Sequence, residues 1–336
     1  MSAELLAAIA LALTYALTNG FHDAANAIAT LVATRAARPL QAVILASFFN
    51  LLGPLLVGAA VANTIAKIVT VPEDEVIPVV GAGLIGAVIW NVVTWLKGLP
   101  SSSGHALVGG LVGAALLDSG LDAVNWGGLD GWRPVGVFGI LIALAVSPLI
   151  GALAAFVVIR LLRAALRRAT RLFNRPVLGA EWLMSAWLAF SHGSNDAQKA
   201  VGVIAALLLA GGRIDSLSAP LWAKLACAGA LTIGTAMGGW AIVRTIGRRI
   251  YTLHPLDGLA SQTSSAGVIL GASLIGAPVS TTHVVASSIV GIGGGRSRWR
   301  RVHWSVVRAM GIAWVTTMPA TAAIAAVSLV VWRWLA

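Results

Sequence analysis

The chain has 336 residues, of which 58% are hydrophobic and only 10% are charged. Water-soluble domains carry about 25% charged residues, so this composition excludes an ordinary soluble enzyme or binding module. The formal net charge of +11 would suit a nucleic-acid partner, but the basic residues cluster in short loops. That distribution is typical of the cytoplasmic loops of membrane proteins. We therefore expect a lipid bilayer around the protein and no nucleic-acid partner.

Apolar runs of the length that crosses a bilayer, about 20 residues, follow one another from end to end of the chain. They predict an all-α polytopic membrane protein. In chain order the runs cover residues 5–15 (resuming through 32), 41–69, 79–96, 106–117, 135–159, 182–209, 221–246, 259–275, 284–295 and 306–331. The single cysteine, Cys227, excludes an internal disulfide and a cysteine-based metal site. We expect no cofactor and no resident metal.

Two polar stretches interrupt the apolar runs, and each occurs twice in the same order. Residues 20–27 read Gly-Phe-His-Asp-Ala-Ala-Asn-Ala, and residues 193–200 read Gly-Ser-Asn-Asp-Ala-Gln-Lys-Ala. Residues 100–105 read Pro-Ser-Ser-Ser-Gly-His, and residues 278–283 read Pro-Val-Ser-Thr-Thr-His. We call these the Asp stretches and the Pro-Ser stretches. Their shared order predicts an internal duplication.

The duplication predicts three parts: an N-terminal transmembrane repeat (1–159), a basic cytoplasmic linker (160–178) and a C-terminal repeat (179–336). If the basic clusters are cytoplasmic, the acidic loops at Glu73 and Asp118 lie outside. Five crossings in each half satisfy this arrangement and invert the second repeat relative to the first. Inverted repeats with interrupted helices are the architecture of secondary transporters. If the Pro-Ser stretches are re-entrant hairpins that do not cross the membrane, another segment must be split to keep the number of crossings in each half odd. The sequence alone does not decide the number of crossings.

The Pro-Ser stretches have the composition of an anion site. Pro100 and Pro278 lack an amide hydrogen and disfavour helix at the preceding residue, so each predicts a helix break. A helix that restarts after the proline presents free amide N–H groups and a partial positive charge. The hydroxyls that follow can cap that helix or donate to a tetrahedral oxyanion. The predicted substrate-binding hydroxyls are Ser101, Ser102, Ser103, Ser280, Thr281 and Thr282.

The Asp stretches have the composition of a coupling-ion site. A carboxylate at membrane depth costs about 3 kcal/mol, so Asp23 and Asp196 indicate function. We expect both stretches to interrupt their helices, so that Asn26 and unwound carbonyls complete a hard-cation site of the sodium type. Lys199 stands where the first copy has Asn26, and a tethered ammonium can replace a bound cation. His22 can relay a proton, because imidazole titrates near neutral pH. The amides Asn195 and Gln198 join the predicted substrate-binding set.

The four stretches resemble the signature motifs of the PiT family of inorganic phosphate transporters, Gly-Ala-Asn-Asp-Val-Ala-Asn-Ala and Pro-x-Ser-x-Ser/Thr-His. The resemblance covers nearly the whole chain. It implies an inverted-repeat fold, a substrate cradle made by the two Pro-Ser hairpins, cation sites at the Asp stretches and a homodimer. Two departures, His22 and the pair Gln198–Lys199, resemble the bacterial low-affinity, proton-coupled branch, whose members carry neutral metal–phosphate complexes. A third departure is Gly104, which stands where the family commonly has a hydroxyl.

These observations lead to one preferred function and several alternatives. We expect a secondary active transporter of the inner (plasma) membrane that imports inorganic phosphate by proton symport and alternating access. A sulfate permease, a sodium-coupled phosphate permease and a channel remain alternatives. An intramembrane hydrolase using Ser102, His105 and Asp23 is disfavoured, because a triad is defined by geometry and no Gly-x-Ser-x-Gly elbow is present. We therefore expect no enzymatic activity.

Overall fold

A computed structural model describes residues 2–130, 133–170 and 173–335. Across these residues the chain is almost entirely helical, apart from two short antiparallel strands, β1 (Gly128–Asp130) and β2 (Arg133–Val135). A π-helical turn, Thr245–Arg249, continues α9. Helices α1 to α12 cover Ala3–Ala33, Pro39–Leu56, Ala60–Ile65, Val76–Leu96, Ser103–Ser119, Gly136–Ala165, Asn174–Ala210, Leu221–Met237, Trp240–Arg244, Pro255–Leu274, Thr281–Gly295 and Trp304–Leu335.

The helices have the length and composition of a multi-pass membrane protein. Among the described residues, six helices are long and apolar enough to cross a bilayer, namely α1, α2, α4, α5, α6 and α12. A seventh span arises if α8 is joined to α9 and its π-helical turn, which continue it after a bend of 63°. The prediction of an all-α polytopic membrane protein is confirmed.

The two halves of the chain have the same order of elements, α1–α6 and α7–α12, and they interlock. Helix α1 packs against α8, and α2 packs against α7. In each half, the two helices that flank the Pro-Ser stretch form a hairpin, α4–α5 in the first half and α10–α11 in the second. The last helix of each half packs against the hairpin of the other half: α6 against α10 and α11, and α12 against α4 and α5. The sequence repeats are therefore not separate bodies in space. This reciprocal packing is what two self-complementary copies produce.

Glycines allow the two repeats to approach closely at these crossings. A Cβ added at Gly20 of α1 would lie 2.2 Å from the carbonyl oxygen of Leu231, and one added at Gly234 of α8 would lie 2.1 Å from that of Leu17. The α2–α7 crossing has the same construction at Gly53. Small residues let helix backbones come into direct contact within a membrane, so these glycines set the position of the Asp stretches.

The prediction that the Asp stretches interrupt their helices is wrong. Helix α1 runs unbroken from Ala3 to Ala33, and α7 runs unbroken from Asn174 to Ala210. The polar side chains find partners in neighbouring helices, so the backbone keeps its own hydrogen bonds and offers no unwound carbonyls for a cation. The breaks lie elsewhere, at 57–59, at 238–239 and at the two Pro-Ser stretches. Each Pro-Ser stretch joins two helices that pack side by side, α4 with α5 and α10 with α11.

The apolar core is divided into two clusters by a polar layer. One cluster takes the first turns of α1, between Leu5 and Ala16, and the last turns of α7, between Ala200 and Leu208. The other takes the opposite ends of the same two helices, including Leu31 and Leu188. The Asp stretches lie between the clusters. They are therefore buried at mid-depth, where a polar group must be satisfied by protein.

The predicted linker is partly helical. Helix α6 continues to Ala165, and α7 begins at Asn174, so the 160–178 segment overlaps both helices. Arg171, one of the arginines that define the segment, lies outside the described residues. At the end of α12, Arg333 forms ion pairs with Glu75 and Asp118. The two acidic loops that the charge pattern placed on one side of the membrane therefore meet at the same end of the protein.

The α1–α8 crossing predicts a position-specific stability effect. We expect Gly234→Ala to lower the thermal unfolding temperature in detergent, because the new methyl group would overlap the backbone of α1. The matched control is Gly229→Ala on the same helix, where an added Cβ meets nothing within 4 Å. Alanine is favoured over glycine in a helix by about 1 kcal/mol, so the control should be neutral or stabilising. Equal unfolding temperatures for the two variants would contradict the close crossing.

Candidate functional site

Asp23 is buried in the middle of α1 and receives side-chain contacts from both repeats. Its Oδ1 accepts a hydrogen bond from Thr282 Oγ1 at 3.0 Å and lies 2.7 Å from His22 Nδ1. Its Oδ2 accepts a hydrogen bond from Ser103 Oγ at 3.2 Å. Ser103 belongs to the hairpin of the first repeat and Thr282 to that of the second. The carboxylate therefore joins the two hairpin tips.

Asp196, in the middle of α7, has neighbours like those of Asp23 together with a lysine. Thr281 Oγ1 donates to its Oδ2 at 2.9 Å, and His192 Nε2 lies 2.9 Å from the same oxygen. Lys199 Nζ donates to its Oδ1 at 2.5 Å and to the carbonyl of Val279 at 3.0 Å. Lys199 is 1% exposed, and its ammonium is held between the helix that carries Asp196 and the second hairpin.

The two carboxylates lie next to each other. One coordinating atom each from Asp23, His192 and Asp196 falls within 4.8 Å of the others. Asn26 Nδ2 donates to Thr281 Oγ1 at 3.2 Å and to Thr282 Oγ1 at 2.9 Å, which closes a hydrogen-bonded ring between the two halves. Two carboxylates and an imidazole are also a donor set that could hold a metal ion.

Both hairpins end in a capped helix start that faces this cluster. Ser102 Oγ accepts from the backbone N–H of His105 and so caps α5. Ser280 Oγ accepts from the backbone N–H of His283 and caps α11 in the same way. The preceding helices α4 and α10 end just before Gly98 and Gly276, which have positive φ, and the next helix begins after the proline inside the protein. The two positive helix ends and their hydroxyls suit an oxyanion.

His22 is fixed at both ring nitrogens. Nδ1 contacts Asp23, while Nε2 lies 3.1 Å from both Thr94 Oγ1 and Ser101 Oγ. Ser101 Oγ also donates to Thr94 Oγ1 at 3.0 Å. A protonated His22 would donate to Asp23 and to this hydroxyl pair. The His22 ring therefore connects Asp23 with the hydroxyls of Thr94 and Ser101.

Two predicted substrate-binding amides make contacts elsewhere. Gln198 Oε1 accepts from the backbone N–H groups of Val61 and Ala62 at the start of α3, at 3.0 and 3.4 Å. Since Gln198 is two residues from Asp196, it projects from another face of α7, and we leave it out of the site proposed below. Asn195 Nδ2 donates to Ser273 Oγ at 3.0 Å, so this amide braces the second hairpin.

Three residues near the carboxylates were missed by the sequence analysis. His192 lies one helical turn before Asp196, a spacing that could have revealed the contact. Its other ring nitrogen lies 3.0 Å from Asn50 Oδ1 on α2. Tyr15 donates from its hydroxyl to the carbonyl of Ser103 at 3.1 Å. Tyr15 and Asn50 are distant in sequence from the motifs, so no local pattern marks them.

The histidines that end the Pro-Ser stretches stack on each other between the hairpin tips. The ring centroids of His105 and His283 are 4.7 Å apart, and the Trp314 ring lies 3.8 Å from that of His283. Trp314 Nε1 donates to the carbonyl of Pro100 at 3.0 Å. Within the described residues, both ring nitrogens of His283 and Nδ1 of His105 lack a hydrogen-bond partner. The two rings therefore pack against each other and against Trp314 between the hairpin tips.

Two departures from the family motif prove to be neighbours. A Cβ added at Gly104 would lie 3.1 Å from Lys199 Nζ. The second hairpin has Thr282 at the position that matches Gly104, and that threonine donates to Asp23 beside Asn26. In the first hairpin, the lysine ammonium occupies the space that such a side chain would need. The two departures from the family motif, Gly104 and Lys199, are therefore linked, because the lysine needs the space that the glycine leaves.

Comparisons with known proteins agree with this site. The sequence model of the Phosphate transporter family matches residues 19–178 and 167–325, once for each half of the chain. The chain belongs to the phosphate transporter family. It is 40% identical over 96% of its length to the "Probable low-affinity inorganic phosphate transporter" of Rhizobium meliloti, of which it covers 94%. The protein of the same name from Bacillus subtilis is 37% identical, over 94% of this chain and 93% of that protein.

A solved structure described as "The sodium-dependent phosphate transporter" superposes on the whole chain with a TM-score of 0.88 at 26% identity, and both chains are covered completely. The predicted resemblance to the PiT family is confirmed. The protein is a membrane transporter of phosphate and is not an enzyme. The double match of the family model also confirms the internal duplication.

The contact between Gly104 and Lys199 predicts that their substitutions are coupled. Gly104→Ala should lower the unfolding temperature, because Lys199 Nζ is held on its other side by Asp196 and Val279. In a Lys199→Asn background the shorter side chain leaves room, and the same alanine should be tolerated. A double-mutant cycle should give a coupling of about 1 kcal/mol. Gly267→Ala on α10, where an added Cβ meets nothing within 4 Å, is the control and should be additive with Lys199→Asn.

Proposed function

We propose that this protein imports inorganic phosphate by proton symport and alternating access. The observation that carries the proposal is the ion pair between Lys199 and Asp196, buried beside the hydrogen-bonded pair His22–Asp23. In the first repeat, Asp23 and Asn26 offer carboxylate and amide oxygens, the ligands that hard cations such as sodium accept. In the second repeat a lysine fills the equivalent place. A permanent ammonium makes a free cation unnecessary there.

The charges of the site favour the entry of protons together with the anion. When both imidazoles are neutral, two carboxylates against one ammonium leave one net negative charge in a site shielded from water. Adding a phosphate anion to that site is electrostatically costly, since charges interact strongly where the effective dielectric is low. Protonation of His22 and His192 would offset the charge that phosphate brings. Proton and phosphate binding are therefore mutually favourable.

The donors and acceptors of the cluster suit phosphate better than sulfate. The hydroxyls of Ser101, Ser103, Thr281 and Thr282 and the starts of α5 and α11 can donate to phosphate oxygens. Hydrogen phosphate also carries an O–H group that needs an acceptor, which Asp23 or Asp196 supplies. Sulfate has no proton to donate at neutral pH. The same carboxylates would repel it without a compensating hydrogen bond.

The substrate can also travel as a neutral metal–phosphate complex. Asp23, His192 and Asp196 converge closely enough to contact a divalent ion, and that ion would be cargo and not a resident cofactor. Its charge would reduce the electrostatic cost of the phosphate, as the protons do. Sodium coupling is the alternative for the driving ion, because the fold is shared with a protein described as sodium-dependent.

Alternating access fits the interlocked repeats. Helices α1 and α7 cross near the polar layer, and the two hairpins reach it from the two halves. Movement of one hairpin with its partner helix against the other would open the cluster to one side at a time. We place the protein in the inner (plasma) membrane with its basic loops in the cytoplasm. Assembly as a homodimer stays a prediction.

Transport into proteoliposomes tests the coupling. We expect uptake of labelled phosphate to follow an imposed pH gradient and to ignore a sodium gradient. Lys199→Asn should weaken the response to the pH gradient. It could add a response to sodium, because it gives the second repeat the aspartate–asparagine pair that the first repeat has at Asp23 and Asn26. Lys67→Asn is the matched control, since Lys67 lies at an exposed position. Uptake that follows sodium alone, or unchanged coupling in the Lys199 variant, would contradict the proposal.

Competition between anions tests the substrate. Excess unlabelled phosphate should suppress uptake of labelled phosphate, whereas the same concentration of sulfate should leave it unchanged. The physical reason is the protonated oxygen of hydrogen phosphate, which the two carboxylates can accept. Suppression by sulfate equal to that by phosphate would show that the carboxylates do not select the anion, and would favour a sulfate permease.

A further inference from the structure

A second buried carboxylate lies on α7, apart from the phosphate site. Glu181 is fully buried, and it is eleven residues before His192, or about 16 Å along the helix axis. Thr34 Oγ1 donates to Glu181 Oε1 at 2.6 Å. The other oxygen, Oε2, has no partner among the described residues. An ionised carboxylate without a partner is strongly disfavoured in such surroundings, which suggests that this group exchanges a proton.

The surrounding backbone is shaped to admit this carboxylate. A Cβ added at Gly258 would lie 2.1 Å from Glu181 Oε1, so the glycine of α10 makes the space. The charged group near Glu181 on α10 is Asp257, which forms an ion pair with Arg296, the residue that follows α11. The backbone N–H of His254 also donates to Asp257. Helix α1 presents the uncharged Thr34. Arg296 is thus engaged by Asp257, and Glu181 has the hydroxyl of Thr34 as its hydrogen-bonding partner.

A series of polar side chains connects Glu181 with the phosphate site. On α1, Asn26, Thr30 and Thr34 follow one another at four-residue spacing and so share one face. Gln262 of α10 donates from Nε2 to Thr30 Oγ1 at 3.0 Å. Ser185, one turn after Glu181, donates to the carbonyl of Ala27 at 3.1 Å. The buried atoms without a partner along this path are Asn26 Oδ1, Gln262 Oε1, Ser265 Oγ and Glu181 Oε2.

Four unpartnered buried atoms in one region point to ordered water. Each would otherwise cost about 1–3 kcal/mol, and water that bridges buried polar groups removes that cost. The opposite side of the site differs. At the 173-residue offset between Asp23 and Asp196, Glu181 corresponds to Ala8 and Ser185 to Ala12, while Thr30 corresponds to Val203. The counterparts of Glu181, Ser185 and Thr30 at the other ends of α1 and α7 are therefore apolar.

We propose that Glu181 is the proton-exchange residue between the phosphate site and the side of the protein that carries the arginine-rich linker. A proton leaving His22 or His192 breaks the imidazolium N–H bond and passes along water and hydroxyls to Glu181 Oε2, where it forms an O–H bond and turns the carboxylate into a neutral carboxyl. That O–H bond breaks when Glu181 releases the proton to solvent and returns to carboxylate, so one proton is moved and no other bond changes. This inference rests on the proton symport proposed above, and it adds the route and the residue.

Glu181→Gln tests the inference with little change of shape. The new carboxamide oxygen can still accept from Thr34, but the side chain cannot take up a proton. We expect uptake driven by a pH gradient to fall by about tenfold or more, a typical effect of losing a positioned proton-transfer group. Exchange of labelled for unlabelled phosphate at equal pH on both sides should be unchanged, because the phosphate site is intact. Glu181→Asp keeps an acid and should retain more gradient-driven uptake than the glutamine variant.

The control and the other outcomes distinguish a proton-transfer role of Glu181 from a structural role, and both from a failure of the proton symport. Glu73→Gln, at an exposed loop position, is the control for losing a carboxylate and should match the wild type in both assays. An equal loss of exchange and gradient-driven uptake in Glu181→Gln would show a structural role and overturn the inference. So would an unaffected glutamine variant beside a wild type that follows the pH gradient. A wild-type protein that ignores the gradient would instead overturn the proton symport itself.

Discussion

The contact that the rest of this structure depends on is the approach of two buried carboxylates, Asp23 and Asp196, at the centre of the protein. Two like charges at this depth repel each other and are poorly solvated. They persist because hydroxyls from both hairpins, an ammonium and two imidazoles surround them. The hairpins are in turn positioned by helix crossings that tolerate only glycine, such as Gly20 against Gly234. The fold can be understood as the support for this charge cluster.

The duplication gives both halves of the site the same helices and hairpins, and the residues that differ between the halves give each carboxylate different neighbours. Ser103 and Thr281 make equivalent contacts with their own repeat's carboxylate. The next position differs, because Thr282 reaches Asp23 whereas the space beside Gly104 is taken by Lys199. One repeat therefore keeps a pocket of oxygens and amides, and the other has an internal cation. A symmetric site would treat both halves alike, whereas here Lys199 gives the second half a fixed charge that the first half lacks.

The sequence alone predicted the features whose motifs occur in both halves of the chain. The paired motifs predicted the duplication, the capped helix starts and the family, because each has a local signature in prolines, hydroxyls and acids. The composition and the apolar runs predicted the membrane fold. The sequence was not sufficient to predict the contacts made between repeats. The Asp stretches look like breaks when read alone, but their polar side chains are satisfied across helices, so α1 stays continuous. Gln198 looked like a ligand because of its neighbours, although its direction around the helix takes it to the start of α3.

The proton coupling proposed above would follow from the same electrostatics that make the site costly. Carboxylates attract protons and repel phosphate, so protons bound in this shielded site would favour the binding of phosphate. A proton that has entered with phosphate must also leave, and in a dry interior it can do so only along groups able to accept it. Ala8, Ala12 and Val203, the counterparts of Glu181, Ser185 and Thr30, offer no such groups. In the proposed scheme, Glu181 and its polar neighbours would therefore favour proton exchange on their own side of the site, and the carboxylate pair would link that exchange to phosphate binding.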